Sequence, residues 1–555
     1  MKSLQRMKSL LLIGIFTISL YTTVQAQSLE KEIDAIVSSM YTQEGPGISI
    51  LVAKDGKSVF RRAYGKANLE LGVPLIPENV FEIGSITKQF TAVAILMLEE
   101  QGKLTVEDEI TKYIPDYPTN DKKITIHHLL NHTSGIKSYT GMDSFMKSAR
   151  TDMTPKELID VFKNEPMDFD PGEEFRYNNS GYILLGYIIE VITGDTYENF
   201  IEKNIFEKIG MNSSYYGSMS QLIKNRASGY KQSGDDYLNA DYLSLTLPYA
   251  AGSLMSTVDD MLKWQNAVSA NTFIKRASLE KAINGSTLNN GEKIDYGYGW
   301  GKANVQGSKG YSHGGGIFGY TTNGVFLEKE NVYVIGLTNC NCKNVGQITR
   351  KVAAIAIGKP IPDKKNAIEL SEDNLKKWVG AYQFEGDVIR HITYRDGKLF
   401  SLREGPNSRE FEIYPMKKDL FIFDDGTISY SFSLTDEGKR QTVFKTAQES
   451  FIGKGIEKAP PAERKTISVA TDILQKYIGK YELQPNFIID ITVEGNSIFA
   501  QATGQPKLEI FAESETLFFL KAVPAEIVFN KSDTGTIDSI TLNQGGRQMP
   551  AKRIE

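Results

Sequence analysis

Phe81-Glu-Ile-Gly-Ser-Ile-Thr-Lys-Gln-Phe-Thr-Ala-Val-Ala-Ile-Leu-Met-Leu98 is the stretch that decides this chain. From Phe90 onward it is almost wholly apolar, as expected of a buried helix. Ser85 falls where that helix opens, near unpaired backbone N–H groups and the positive end of the helix dipole. Lys88, three positions on, shares its face. Ser-x-x-Lys is a weak signal by itself, since it starts at Ser28, Ser85, Ser134, Ser144, Ser228 and Ser278. Only the Ser85 copy leads into a long apolar segment. Ser134 sits in a Thr-Ser-Gly turn, Ser28 lies at the expected mature N-terminus, and the other three precede more polar stretches.

Two further clusters complete a set suited to acyl transfer: Tyr177-Asn-Asn179 and His313-Gly-Gly-Gly316. A serine hydroxyl needs a group that takes its proton as it attacks. No convincing Ser-His-Asp arrangement is present, so Lys88 and Tyr177 are the candidate bases. We assign Ser85 as nucleophile and Tyr177 as base and then acid, with Lys88 tuning the charge and shuttling protons. A neighbouring ammonium is expected to favour the Tyr177 phenolate. Spacing leaves the division of labour between Lys88 and Tyr177 open. The glycine run, read as following a strand, lets a substrate backbone approach closely.

These elements resemble the serine β-lactamase and penicillin-binding-protein superfamily, in which Ser-x-x-Lys is paired with Lys-Thr-Gly. The Tyr-x-Asn form is most similar to class C β-lactamase-related hydrolases: D-aminopeptidases, D-Ala-D-Ala peptidases and esterases. Ile124-Thr-Ile-His-His-Leu-Leu-Asn-His-Thr-Ser-Gly135, Pro171-Gly-Glu-Glu-Phe-Arg-Tyr177 and Ala251-Gly-Ser-Leu-Met-Ser256 extend the resemblance over about residues 40 to 345. It implies an α+β fold, an antiparallel sheet flanked by helices with an all-helical subdomain. It also implies that Asn179 bonds the Lys88 amine and the substrate amide, and that the N–H groups of Ser85 and Gly316 form an oxyanion hole beside Gly315. Here His313 replaces the family's lysine. Histidine is mostly neutral at pH 7, which weakens the demand for a substrate carboxylate and argues against a dedicated β-lactamase.

Three of the five histidines, His127, His128 and His132, fall within six residues. His128 and His132 have the i, i+4 spacing of a zinc helix, but the intervening residues lack the glutamate of His-Glu-x-x-His. We read the segment as a helix closing in a capped turn, and expect neither metal nor cofactor.

The chain has 555 residues, 41% hydrophobic and 24% charged, which suits a folded protein of two or three domains. Residues 1–26 read as a signal peptide: Lys2, Arg6 and Lys8, the apolar run Leu10 to Leu20, then Val24-Gln-Ala26. An exported, periplasmic or extracellular protein is expected. Removing those three positive charges takes the net charge from −5 to about −8, which offers no basic face to nucleic acid. Cys340 and Cys342 are so close in sequence that we expect strand-end residues rather than a disulfide.

Helical spacing over Leu29 to Met40, a hairpin about Asp55-Gly56, a helix over Asn179 to Ile192 and a buried strand over Asn331 to Thr338 place the catalytic domain at residues 27–358. A linker at 359–374 leads to an internal repeat: Leu375-Lys-Lys-Trp-Val-Gly-Ala-Tyr382 matches Leu474-Gln-Lys-Tyr-Ile-Gly-Lys-Tyr481 at an offset of 99. Short alternating strands with Asp-Gly, Glu-Gly and Gly-Gly turns predict two small β-barrels, 375–448 and 472–555, joined by a linker at 449–471. Such barrels resemble the tails of D-aminopeptidases and the lipocalin-like tails of other relatives. The function expected is an exported serine hydrolase acting on peptide, amide or ester bonds, with a small substrate that is cell-wall derived or similar. The competing readings are a β-lactamase and a non-catalytic envelope-binding protein on the same fold.

Overall fold

The computed structural model describes residues 29–218, 220–234, 236–405, 408–446, 449–461, 466–484, 487–521, 523, 525–532, 535–544 and 547–555. The segment read as a signal peptide lies outside them. Among the described residues no helix is long and apolar enough to cross a membrane. The chain divides into two compact units, Met1–Ile361 and Pro362–Glu555.

The first unit is built on a six-stranded antiparallel sheet. Its strands are β1 (Ile48–Lys54), β2 (Lys57–Tyr64), β3 (Gly301–Val305), β4 (Ser308–Ile317), β5 (Tyr320–Leu327) and β6 (Val332–Thr338), in the order β3-β4-β5-β6-β1-β2. The hairpin between β1 and β2 turns on Asp55 and Gly56, both at positive φ (50° and 73°), as a two-residue turn requires. β6 is buried along its whole length and β1 up to its last residue, because the sheet is covered on both faces. On one side lie α1 (residues 29–40) and α4 (Val345–Ala356), whose apolar faces meet Ile48, Ile50, Val52, Val332 and Val334. On the other is a larger core holding α2 (Thr87–Glu100) and α3 (Asn179–Thr193). The two-part α+β fold expected from the sequence is the fold observed.

Two expectations need correction. Cys340 and Cys342 are joined by a disulfide, their Cα atoms 5.2 Å apart. The chain turns over at Asn341 immediately after β6, which brings the two side chains together despite the short separation. The glycine run also does not follow a strand. It lies inside β4, because β5 pairs with β4 from Gly310↔Leu327 to Ile317↔Tyr320.

The second unit contains two closed eight-stranded antiparallel barrels. The first comprises β7 (Gly380–Gln383), β8 (Ile389–Arg395), β9 (Lys398–Arg403), β10 (Glu410–Pro415), β11 (Leu420–Ile422), β12 (Ser429–Leu434), β13 (Arg440–Lys445) and β14 (Ser450–Ile456). The second comprises β15 (Gly479–Gln484), β16 (Phe487–Glu494), β17 (Ser497–Ala502), β18 (Leu508–Ala512), β19 (Leu517–Leu520), β20 (Ala525–Lys531), β21 (Ile537–Gln544) and β22 (Arg547–Arg553). The strand that closes the first barrel, β14, pairs with β7 and lies beyond residue 448, in the stretch read as linker. Its glycines and exposed apolar residues hid its alternation. Leu375 and Leu474 are buried in their respective cores, so each barrel begins with a short helical turn rather than at its first strand.

The repeated sequence has one structural cause. The Tyr382 hydroxyl donates to the Trp378 carbonyl at 2.8 Å, and the Tyr481 hydroxyl donates to the Tyr477 carbonyl at 2.8 Å. Each buried tyrosine thus pins the turn that enters its own barrel. Tyr382→Phe is expected to destabilise the first barrel by about 1–2 kcal/mol, the scale of a buried hydrogen bond with an orphaned carbonyl. Trp378 is the sole tryptophan of residues 362–555, so its fluorescence in that segment reports the loss as an earlier urea midpoint. Tyr481→Phe should leave the Trp378 transition in place.

Candidate active site

Ser85 lies in a short 3-10 turn, Gly84–Ile86, that runs directly into α2. Ser85 is therefore just ahead of the α-helix rather than inside its first turn. Lys88 follows on α2 and is fully buried, 0% exposed. Its Nζ lies 3.1 Å from Ser85 Oγ, 2.8 Å from Asn179 Oδ1 and 2.9 Å from the Ala251 carbonyl. The rings of Tyr177 and Tyr182 cover it at 4.9 and 5.3 Å. Burial drives the Lys88 ammonium far below the usual lysine range, and no carboxylate accompanies it there to oppose this.

Tyr177 and Asn179 reach the site because Asn178 caps α3, its Oδ1 accepting from the Gly181 N–H at 2.9 Å. Asn178 also bonds the Ile136 carbonyl and, through its own N–H, His132 Nδ1 at 3.2 Å. Tyr177 keeps 40% of its surface exposed, and its hydroxyl lies toward Ser85. Crowding by the site pushes the phenol up from its ordinary value, and the Ser85 contact opposes this without reversing it. This corrects the expectation of a readily formed phenolate: burial raises the phenol more than its Ser85 neighbour lowers it. Asn179 contacts Lys88 as expected, but its Nδ2 donates to Thr140 Oγ1 at 3.0 Å, so in this state the amide is already engaged on both sides.

The third element stands across from the serine. β3 stops pairing with β4 at Gly301↔Ser312, so His313 to Ile317 form an open edge on that side. A Cβ placed on Gly84 would come within 3.0 Å of Gly316 N, which puts that amide beside the Ser85 turn. The glycines differ in what they do. A Cβ on Gly315 would lie 2.0 Å from the Ile83 carbonyl oxygen and 2.3 Å from Thr322 Oγ1, whereas one on Gly316 would meet open space. Gly315 lets β4 close on the Ser85 loop, and Gly316 lines the opening.

His313 is buried, with Nε2 2.8 Å from the Tyr296 hydroxyl and Nδ1 2.6 Å from the Gly314 carbonyl. The carbonyl can only accept, so Nδ1 carries the proton and Nε2 accepts from Tyr296. Both nitrogens are occupied, and burial, with Lys88 adding to it, lowers the imidazole to about 4. His313 is thus neutral and braced, not an extended charge.

Sequence reasoning missed Thr140, His132, Tyr182, Tyr296 and the Ala251 carbonyl. His132 lies 4.3 Å from the Tyr177 ring centroid and 4.7 Å from that of Tyr296, in left-handed backbone (φ 64°) just past the helix Ile126–Leu130. His128 Nδ1 instead accepts from the Thr125 N–H at 3.2 Å, and His127 is bonded to Tyr298 and Asn131. The three histidines therefore point into different surroundings, and among the described residues no group of three or more metal-binding side chains converges.

Comparison with known proteins places this geometry in context. The Beta-lactamase family model matches residues 29–358, and a domain of unknown function (DUF3471) matches residues 463–552. Penicillin-binding protein 4* of Bacillus subtilis is 26% identical over 539 residues, covering 94% of this chain and 98% of that protein. The octameric penicillin-binding protein homologue from Pyrococcus abyssi aligns with a TM-score of 0.53 at 27% identity, over 77% of this chain and 99% of its own. The D-amino acid amidase from Ochrobactrum anthropi SV3, complexed with D-phenylalanine, shares the fold at 23% identity, with a TM-score of 0.54 over 60% of this chain and 99% of its own.

Two outcomes follow from the site. Gly315→Ala should force β4 from the Ser85 loop and lower turnover at least about tenfold, whereas Gly316→Ala should leave the folded state intact by thermal melt, since nothing opposes its methyl. Between pH 6.5 and about 4 the unfolded chain protonates His313 while the folded chain resists, so stability falls as pH falls through that window. Against His313→Gln, the wild type should lose an additional 1–3 kcal/mol, roughly, between pH 7 and 4.5 in chemical denaturation.

Proposed function

Because the chain belongs to the β-lactamase family, we propose that it is an exported serine hydrolase that cleaves amide or ester bonds of small peptide-like substrates through an acyl-Ser85 intermediate. One observation carries the assignment of roles. Lys88 Nζ faces two carbonyl oxygens, of Asn179 and Ala251, and one hydroxyl, that of Ser85. A neutral amine has two N–H donors and one lone pair. The carbonyls take the donors, which leaves the lone pair for the Ser85 proton.

On this reading Lys88 is the base in acylation. Ser85 Oγ attacks the substrate carbonyl and its proton passes to Lys88. The oxyanion forms beside the backbone N–H groups of Ser85 and Gly316, which cost no reorganisation. Tyr177, held as a neutral phenol, gives its proton to the leaving amine or alkoxide. The intermediate then carries a Lys88 ammonium beside a Tyr177 phenolate, the state in which each charge supports the other. Water attacks the acyl-serine, the phenolate takes its proton, and Lys88 returns a proton to departing Ser85. Every proton is accounted for over the cycle.

The substrate class follows from His313. A neutral imidazole with both nitrogens engaged offers no cation to a substrate carboxylate, which supports neutral amides and esters over β-lactams. Two proteins that share the fold, the D-amino acid amidase from Ochrobactrum anthropi SV3 and a D-stereospecific amidohydrolase from Streptomyces sp., lend support. Secretion rests on the reading of residues 1–26, and a cell-wall peptide is the natural source of such bonds outside the cell.

The roles separate by leaving group. Tyr177→Phe should cost about 10²-fold or more on an alkyl amide, the scale of a lost proton donor, but far less on a p-nitrophenyl ester, whose leaving group needs no proton. Lys88→Ala should lose activity on both. Equal losses for Tyr177→Phe on both substrates, with chemistry limiting, would return the base to Tyr177. A Ser85→Ala variant should show no acyl adduct by intact-mass spectrometry.

A further inference from the structure

The two barrels share a repeat and a topology, yet their interiors differ at one end. In the first barrel that end is plugged. Tyr430 and Phe444 face each other across paired strands with ring centroids 5.0 Å apart. Phe423 lies 5.7 Å from Tyr430, and Phe384 lies 6.0 Å from Phe444. Arg390 closes the stack, its guanidinium carbon 4.0 Å from the Phe444 ring centroid.

Strand register identifies the equivalent positions in the second barrel. Tyr382 pairs with Arg390 and Tyr481 with Ile489; Tyr430 pairs with Phe444 and Ile527 with Leu542. Phe421 pairs with Tyr430 and Phe518 with Ile527, so Phe423 corresponds to Leu520. Phe384, two residues after the pinned tyrosine, corresponds to Leu483. Every member of the plug is replaced by a smaller aliphatic residue, and the arginine by isoleucine. The volume given up is present as a cavity of about 270 Å³. That is room for about nine non-hydrogen atoms at the roughly 30 Å³ a water occupies in the liquid.

The wall has a definite chemistry. Of the sixteen described residues lining the cavity, thirteen are apolar and three, Gln484, Gln505 and Gln544, are glutamines; none is acidic, basic or histidine. Gln484 and Gln544 end β15 and β21, and Gln505 lies in the turn between β17 and β18, so all three stand at the same mouth of this up-and-down barrel. A charged group inside would be desolvated with no counter-charge. A hydrocarbon chain would gain by burial, and a polar terminus could exchange hydrogen bonds with the mouth amides, which both donate and accept. Eight strands form a barrel just wide enough either to fill with side chains or to hold one small ligand. The first barrel does the former. We propose that the second does the latter and binds a medium-length aliphatic chain, such as an acyl group, with an uncharged polar end at the glutamine mouth. The site stands whether or not the hydrolase reading does.

The test titrates the full chain by isothermal calorimetry with 1-octanol as the uncharged probe, and with 1-decanol as competitor. The wild type should show one saturable site, displaced by decanol. Ile527→Tyr with Leu542→Phe restores the first barrel's plug and should weaken the probe at least tenfold, with turnover of a small activated ester unchanged. If circular dichroism shows that the double variant has not folded, Ala502→Arg decides, since it restores the first barrel's Arg403 on a lining position; it should weaken binding by a similar factor. No saturable binding by the wild type, no displacement by decanol, or equal affinity in the folded plugged variant would each overturn the proposal.

Discussion

A lysine amine buried without a counter-ion is the constraint on which the catalytic unit depends. Taking an ammonium out of water costs several kcal/mol unless a carboxylate or a dense hydrogen-bond shell compensates. At Lys88 the hydrogen-bond shell is two carbonyls and a hydroxyl, and burial without a carboxylate lowers the amine. Much of the surrounding architecture supplies that shell. α2 brings Lys88, the Asn178 cap delivers Asn179, and the short helix Tyr249–Gly252 presents the Ala251 carbonyl. Tyr177 and Tyr182 keep water from the amine while offering only ring faces to it. The same burial also lowers His313 and His132.

What the sequence could disclose divides along the same physical line. Local periodicity carried α2, α3, the Asp55-Gly56 hairpin and the buried β6, because each depends on the spacing of its own residues. The candidates Ser85, Lys88, Tyr177, Asn179, Gly315 and Gly316 do converge, since their neighbouring motifs state both identity and context. The sign of the Tyr177 shift was not legible. It is set by how far the folded site desolvates the phenol, which no local spacing states. Tyr296 and Thr140 left no mark for a similar reason: a tyrosine among glycines and a threonine in a loop acquire a role only when the chain closes. The disulfide failed differently. Sequence separation is a poor guide to Cα distance when a tight turn intervenes, and the turn at Asn341 supplied the 5.2 Å that spacing seemed to forbid.

The His313 position shows how one substitution redistributes work within a shared frame. A lysine in the family's motif carries a charge that can reach a ligand. Histidine is shorter and has two ring nitrogens, and here both are spent inside the protein, on Tyr296 and Gly314. The side chain therefore stiffens the strand that presents Gly315 and Gly316. On the proposed function, specificity at this edge falls to backbone N–H groups and to the shape of the opening, which would recognise an acyl group without asking for an anion.

The barrels make the complementary case, in which identity of fold coexists with a change of capacity. The pinned tyrosine is kept in both copies because it secures the entry turn, a requirement of the architecture. The plug is not such a requirement: eight antiparallel strands close whether the lumen holds four aromatic rings and a guanidinium or five aliphatic side chains and a void. A void lined by hydrocarbon forfeits the dispersion contacts that its walls would otherwise make, by about 24 cal/mol for each Å³ in comparable cavities. For 270 Å³ that comes to about 6.5 kcal/mol as an upper figure, since an open mouth admits some water. A barrel that could recover much of this by the substitutions its own twin already carries, and does not, has retained space that a ligand would fill.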